Sequence, residues 1–170
     1  MRQLGLVLLI LLALVACEQE KTFSDIEGNF AVDFAAEPVI TVDSFDTELG
    51  EVVLHSYMHE FSQTEAQMLT YSDYPVSSQY IKDPYNFIDG AKEGALRSLG
   101  ITEILKDEQI ELKGVPGVDV IGHNGEDLHI HYKLFLNNNR LYQIGFLKEG
   151  ELEETAAELE FMESFVFLDL

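Results

Sequence analysis

Apolar and polar positions follow a two-residue repeat over most of the chain, the spacing of half-buried strands, with two interruptions at helical spacing. Phe30, Val32 and Phe34 alternate with Ala31 and Asp33, and after Pro38 the run Val39-Ile40-Thr41-Val42 predicts a second short strand. Gly50 opens a longer strand over 51–61. Gln63-Thr64-Glu65 turns the chain, and 67–74 follows as the partner of an antiparallel hairpin. Residues 74–83, with Pro75, Ser77 and Ser78, read as a loop.

The period then changes. Asp83 is placed to cap a helix with Pro84 at its first position. Phe87, Ile88, Ala91, Ala95 and Leu99 fall on one helical face, and Gly100 stands where a C-terminal glycine belongs. Gly90 and Gly94, one turn apart inside this helix, each weaken it by ~1 kcal/mol relative to Ala, which predicts that the helix packs closely onto a sheet.

Strands return after Gly100. The stretch 103–112 predicts a bent strand, Gly114-Val115-Pro116-Gly117 a turn, and 118–123 the next strand. Asn124-Gly125 signals a hairpin. Leu128, Ile130, Tyr132, Leu134 and Leu136 alternate, Asn137-Asn138-Asn139 turns, and 141–148 pairs back. Beyond Gly150, Leu152, Ala156, Leu159 and Met162 recur at helical spacing, with Glu151, Glu153 and Glu154 in the expected first turn, where the helix dipole favours acids. The apolar tail 165–168 is expected to pack on the core. The order ββββαββββα, with tight turns between consecutive strands, predicts an α+β domain over 28–170: a mainly antiparallel sheet of about six to eight strands covered by two helices.

Several short motifs in this order resemble the PsbP/Mog1-like α/β fold of bacterial exported proteins and lipoproteins. They are Gly28-Asn29-Phe30-Ala31-Val32-Asp33-Phe34 with Pro38, and Tyr71-Ser72-Asp73-Tyr74-Pro75. Asp89-Gly90-Ala91-Lys92, Gly114-Val115-Pro116-Gly117, Arg140-Leu141-Tyr142-Gln143-Ile144 and Glu163-Ser164-Phe165 complete the set, which spans residues 28–168. The resemblance implies a non-catalytic accessory protein that binds a larger assembly or a regulator. It carries no catalytic residues over, and the photosystem role of plant members does not transfer with the fold.

The first residues add an address. Arg2 precedes an unbroken run of apolar residues and Gly over 4–15, too short for the ~20 residues of a membrane span, and Leu14-Val15-Ala16-Cys17 ends it. This reads as a lipoprotein signal peptide, 1–16, cut before Cys17, the only cysteine. Acyl chains on Cys17 would anchor the protein, each buried methylene adding ~0.8 kcal/mol of membrane affinity. Glu18 in place of Asp favours the periplasmic face of the outer membrane, and 17–27 is expected to be the acylated Cys with a polar tether.

With 31 acidic against 10 basic residues the net charge is −21, and removing 1–16 takes away one Arg and no acid. Such a chain is no default partner for nucleic acid, which needs clustered Lys and Arg, nor for anionic headgroups. The acids are spread along the chain, as on a solvated surface, and no calcium-loop motif is present: Asp43, Asp46 and Glu48 come closest but lack its glycine and closing Glu.

Two constellations could carry chemistry. His129 and His131 share one face of a strand that Lys133 continues, and His55 and His59 share a face of another. Were the two strands to pair, the imidazoles could meet and bind Zn²⁺ or Cu²⁺; the alternative is a solvent-facing polar row. Tyr71, Tyr74, Tyr80 and Tyr85, with Phe87, could line a binding surface or plug the gap between helix and sheet. No nucleophile elbow and no phosphate-binding glycine loop occurs, so no enzyme is expected. The reading is a membrane-anchored binding module for another envelope protein, with no cofactor beyond the lipid. A His-based metal-binding lipoprotein and a carrier for a small apolar ligand are the alternatives.

Overall fold

The computed structural model describes residues 22–47, 50–75, 81–150 and 153–169. Residues 1–16, read above as a signal peptide, and Cys17 and Tyr80 lie outside them. The described elements are β1 (Thr22–Asp25), β2 (Phe30–Asp33), β3 (Val39–Thr47), β4 (Gly50–Glu60), β5 (Glu65–Asp73), α1 (Pro84–Ser98), β6 (Glu103–Leu112), β7 (Val115–His123), β8 (Leu128–Asn137), β9 (Arg140–Glu149), α2 (Ala156–Ser164) and β10 (Val166–Phe167). Seven strands form one antiparallel sheet in the order β3-β4-β5-β9-β8-β7-β6, and three form a second in the order β1-β2-β10. The α+β architecture is the one expected, with seven strands in the main sheet, within the six to eight anticipated, and three more in a second sheet.

Strand alternation gives the large sheet two apolar faces. On one, Tyr57, Leu69, Tyr71, Phe135, Tyr142, Ile144 and Phe146 meet α2 and the small sheet through Phe30, Phe34, Phe161, Phe165 and Phe167. On the other, Val118, Val120, Ile130, Tyr132, Leu134 and Leu141 meet α1 through Ile88 and Leu96. Each such side chain taken fully out of water contributes roughly 1.5–3 kcal/mol.

Several local expectations are corrected. Thr22–Asp25, inside the segment read as tether, is a strand: Phe23 packs on Phe34 and Tyr57, and Asp25 accepts hydrogen bonds from Gly28 N–H and the Tyr57 hydroxyl. One apolar residue in four is too little for a periodic signal. The strand read over 39–42 continues to Thr47. The turn placed at 114–117 is made by Lys113 and Gly114 alone, both at positive φ, so Val115, Pro116 and Gly117 already belong to β7.

α1 is capped by Asp83, whose side chain accepts from the N–H of Tyr85 and Asn86, with Pro84 leading in. Its glycines do not mark close packing: a methyl group at Gly90 or Gly94 would meet nothing within 4 Å. α2 begins later than expected, after Thr155, so Glu153 and Glu154 precede it. A capping box does the work instead, with Thr155 Oγ1 accepting from Glu158 N–H and Glu158 Oε2 from Thr155 N–H. The face of α2 turned inward holds Glu158, Phe161 and Met162, while Leu159 is exposed. The inversion of Glu158 and Leu159 follows from what the sheet presents beneath them.

Candidate functional site

Alternation along β7, β8 and β9 sends Asp119, His129, His131 and Lys148 to the face that α2 covers, and all four are buried. His131 is the centre. Its Nε2 lies 2.9 Å from Asp119 Oδ1 and its Nδ1 lies 3.2 Å from Glu158 Oε1. Carboxylates at both ring nitrogens require two N–H donors, which is the imidazolium form. Lys148 Nζ stands 3.0 Å from Glu158 Oε2 and also donates to the Glu153 carbonyl. Lys106 of β6 reaches Asp119 Oδ2 at 3.0 Å. Glu154 Oε1 approaches His131 Nδ1 to 3.7 Å from the exposed side.

The charges tune one another. Burial alone pushes the His131 pKa down, but the hydrogen bonds and charges of Asp119 and Glu158 outweigh it and hold the pKa above its ordinary 6.5. Burial pushes the two carboxyls up, yet the cations win: His131 and Lys106 hold Asp119, and His131 and Lys148 hold Glu158, below the usual range. The cluster is a closed set of ion pairs that fastens α2 to the sheet.

His131, Glu154 and Glu158 place donor atoms within 4.8 Å of one another. A cation there would have to displace the His131 proton and stand against the Lys148 ammonium on Glu158. The space beside these groups, lined also by Ile121, His129 and Phe146, measures about 10 Å³, the size of one water. His129 donates from Nε2 to the Gly150 carbonyl at 2.6 Å, and its buried Nδ1 has no hydrogen-bond partner.

The four expected histidines do not converge. β4 is separated from β8 by β5 and β9, three strand spacings or about 14 Å. His55 instead stacks on Tyr71, with ring centroids 4.4 Å apart and planes 6° apart, and His59 packs against Phe61. The nearer imidazole, not anticipated from the sequence, is His123, the cross-strand neighbour of His129, with rings 5.7 Å apart. Counting back from Asn124-Gly125 as a two-residue turn would misplace this pair, because the connection runs to Leu128. Nor is the row of His129, His131 and Lys133 solvent-facing: α2 covers it, and Lys133 Nζ donates to the Met162 carbonyl near the helix end.

The tyrosines divide between the two faces. Tyr71 is buried on the α2 side beneath the Arg140 guanidinium, which lies 4.6 Å from the ring centroid. Tyr74 and Tyr85 lie on the α1 side, Tyr74 edge-on to Phe87 at 4.8 Å.

The described apolar surface is concentrated elsewhere. Every residue of 39–46 is exposed: Ile40 and Val42 share one face of the β3–β4 hairpin with Val53 of β4, and Val39 and Phe45 lie on the other.

No protein-family model matches the chain, and no characterised protein matches it by sequence. Among solved structures it is similar to the solution structure of cyanobacterial PsbP (CyanoP) from Synechocystis sp. PCC 6803. That likeness has a TM-score of 0.51 and 12% identity, and it covers 86% of this chain and 91% of that one. At that identity the likeness shows the fold alone: two helices on antiparallel sheets of seven and three strands are a PsbP-like α+β fold, as the motif order in 28–168 implied.

Proposed function

We propose that this chain is a lipid-anchored, non-catalytic accessory module of the bacterial envelope, held through Cys17 at the periplasmic face of the outer membrane and working by binding another envelope protein. The observation that carries the reading is a division of labour. The titratable groups best placed for chemistry, His131, Asp119, Glu158 and Lys148, are spent on one another beneath α2, while apolar side chains stand uncovered on β3 and β4. Buried, mutually satisfied ions are occupied with one another, and removing one leaves its partner uncompensated; apolar side chains exposed along an edge strand mark an interaction surface. The test is in-situ cross-linking in intact envelopes followed by capture of the full chain. A reproducible stoichiometric partner is the expected result, and recovery of the chain alone would sink the reading.

A second reading has one observation in its favour, the donor atoms of His131, Glu154 and Glu158 within 4.8 Å. As a metal-handling lipoprotein the chain would take up stoichiometric Zn²⁺ or Cu²⁺ in a calorimetric titration, and His131→Ala would abolish the uptake. Retention of the metal by that variant would remove the reading.

A further inference from the structure

The two edges of the seven-stranded sheet are built differently. β6 exposes Ile104 and Leu105, but its register breaks there, between Ile104 and Lys106; it also carries Glu103, Lys106, Asp107, Glu108 and Glu111, and Lys92 of α1 ties Asp107 down at 2.7 Å. Charge, irregularity and cover are the devices that close an edge to further pairing. Over 39–46 of β3 the only charges are two exposed carboxylates, Asp43 and Asp46, which turn away an acidic strand and leave the edge open to a basic one, and among the described residues nothing covers it. Its register with β4 is unbroken, no Pro or Lys interrupts it, and it presents Val39, Ile40, Val42 and Phe45 at 69%, 51%, 58% and 45% exposure. In an antiparallel edge strand every second residue turns its N–H and C=O away from the sheet, and among the described residues 39–46 pair with β4 alone.

We infer that β3 is a docking edge at which an extended, basic segment of a partner protein adds as an eighth antiparallel or parallel strand. This rests on the accessory-module reading and supplies its contact. Backbone pairing along 39–46 would give affinity, and the exposed apolar side chains would take alternate side chains of the incoming strand. Charge selects the occupant. Asp43 and Asp46 lie on the edge itself, Glu51 faces Asp46 across the hairpin, and the chain as a whole stands at −21. A segment with Lys or Arg among its apolar residues meets these carboxylates. A second copy of this chain is the poorer occupant: it carries the same net charge of −21, so two copies repel, and it brings only the acidic Asp43 and Asp46 to the shared edge.

The test uses the full 170-residue chain in non-ionic detergent with two defined peptides, KVTVKVTVK and its counterpart EVTVEVTVE, read by amide hydrogen exchange. The cationic peptide is expected to protect amides within 39–46 and leave β6 unchanged. Its affinity should fall roughly tenfold in the double variant Asp43→Lys/Asp46→Lys, whose changes are at exposed positions, and that variant should accept the anionic peptide instead. No protection of 39–46 by either peptide, equal protection by both, or protection appearing on self-association without peptide would each overturn the assignment. Cross-linkers placed in turn on β3, β6 and α2 of the full chain separate the two readings. A partner captured only away from β3 ends the edge assignment and leaves the accessory reading standing, whereas no partner from any position ends the accessory reading.

Discussion

The Nδ1 atom of His131 on β8 lies 3.2 Å from Oε1 of Glu158 on α2, and this contact joins a short helix to the sheet beneath it. The same carboxylate caps the helix through Thr155 N–H and takes Lys148 on its other oxygen. One side chain therefore ends the loop, starts the helix and docks it.

That arrangement sets a pH window. His131 has its pKa raised on folding, so its contribution is complete below its ordinary 6.5 and is lost as pH rises through the higher folded value. Asp119 and Glu158 have theirs lowered, so their contributions are complete above the ordinary 3.8 and 4.5 and are lost as pH falls through the lower folded values. Denaturant unfolding against pH should show highest stability from these three groups between about 4.5 and 6.5. Replacing His131→Gln should remove the decline on the alkaline side; an unchanged alkaline limb would mean that another group causes it.

Removing one partner of a buried pair leaves the other uncompensated. His131→Ala should cost ~3 kcal/mol, since Asp119 and Glu158 would face each other with one cation fewer. Thr155→Ala, which removes only the cap, should cost ~1 kcal/mol. Urea midpoints at pH 6 compare the two, and equal losses would show that the imidazole adds nothing beyond the cap.

Glycine-to-alanine substitutions should have opposite signs at two places. Gly90→Ala and Gly94→Ala, in open space on α1, should each stabilise by ~0.5–1 kcal/mol through helix propensity. Gly117→Ala should destabilise by ~1–3 kcal/mol, because its methyl group would lie 2.5 Å from the Leu134 carbonyl oxygen and the Phe135 ring. Melting temperatures of the three variants decide this, and a stable Gly117→Ala protein would show that β7 and β8 can move apart.

Membrane attachment should depend on one atom. Cys17→Ser removes the sulfur that lipidation needs, so palmitate labelling should vanish and the protein should no longer fractionate with membranes as a mature lipoprotein. Unaltered labelling in the variant would refute the anchor.

Much of the fold was legible in the sequence because short-range physics produces it. The two-residue alternation from 128 to 136, the Asp83-Pro84 helix start and the Gly100 stop are signals that neighbouring residues carry by themselves. The elements misread are those whose signal is too short or comes from far away. β1 has four residues and exists because Phe23 finds Phe34 and Tyr57. The inward turn of Glu158 and outward turn of Leu159 reverse the usual apolar-in rule, and only His131 and Lys148, brought over by strand pairing, account for it.

The sequence by itself determined the alternating strands, the two helices, the acidity and, from its first seventeen residues, an expected lipid anchor. It placed His129 and His131 on one strand face because side chains two apart in a strand must share a face. Which strands lie side by side is not a local property. The order β3-β4-β5-β9-β8-β7-β6 put His55 and His59 out of reach, brought Asp119 and Glu158 to His131, and left 39–46 at an edge. Strand order is decided by how two apolar sheet faces are covered at once, and that requires the whole chain.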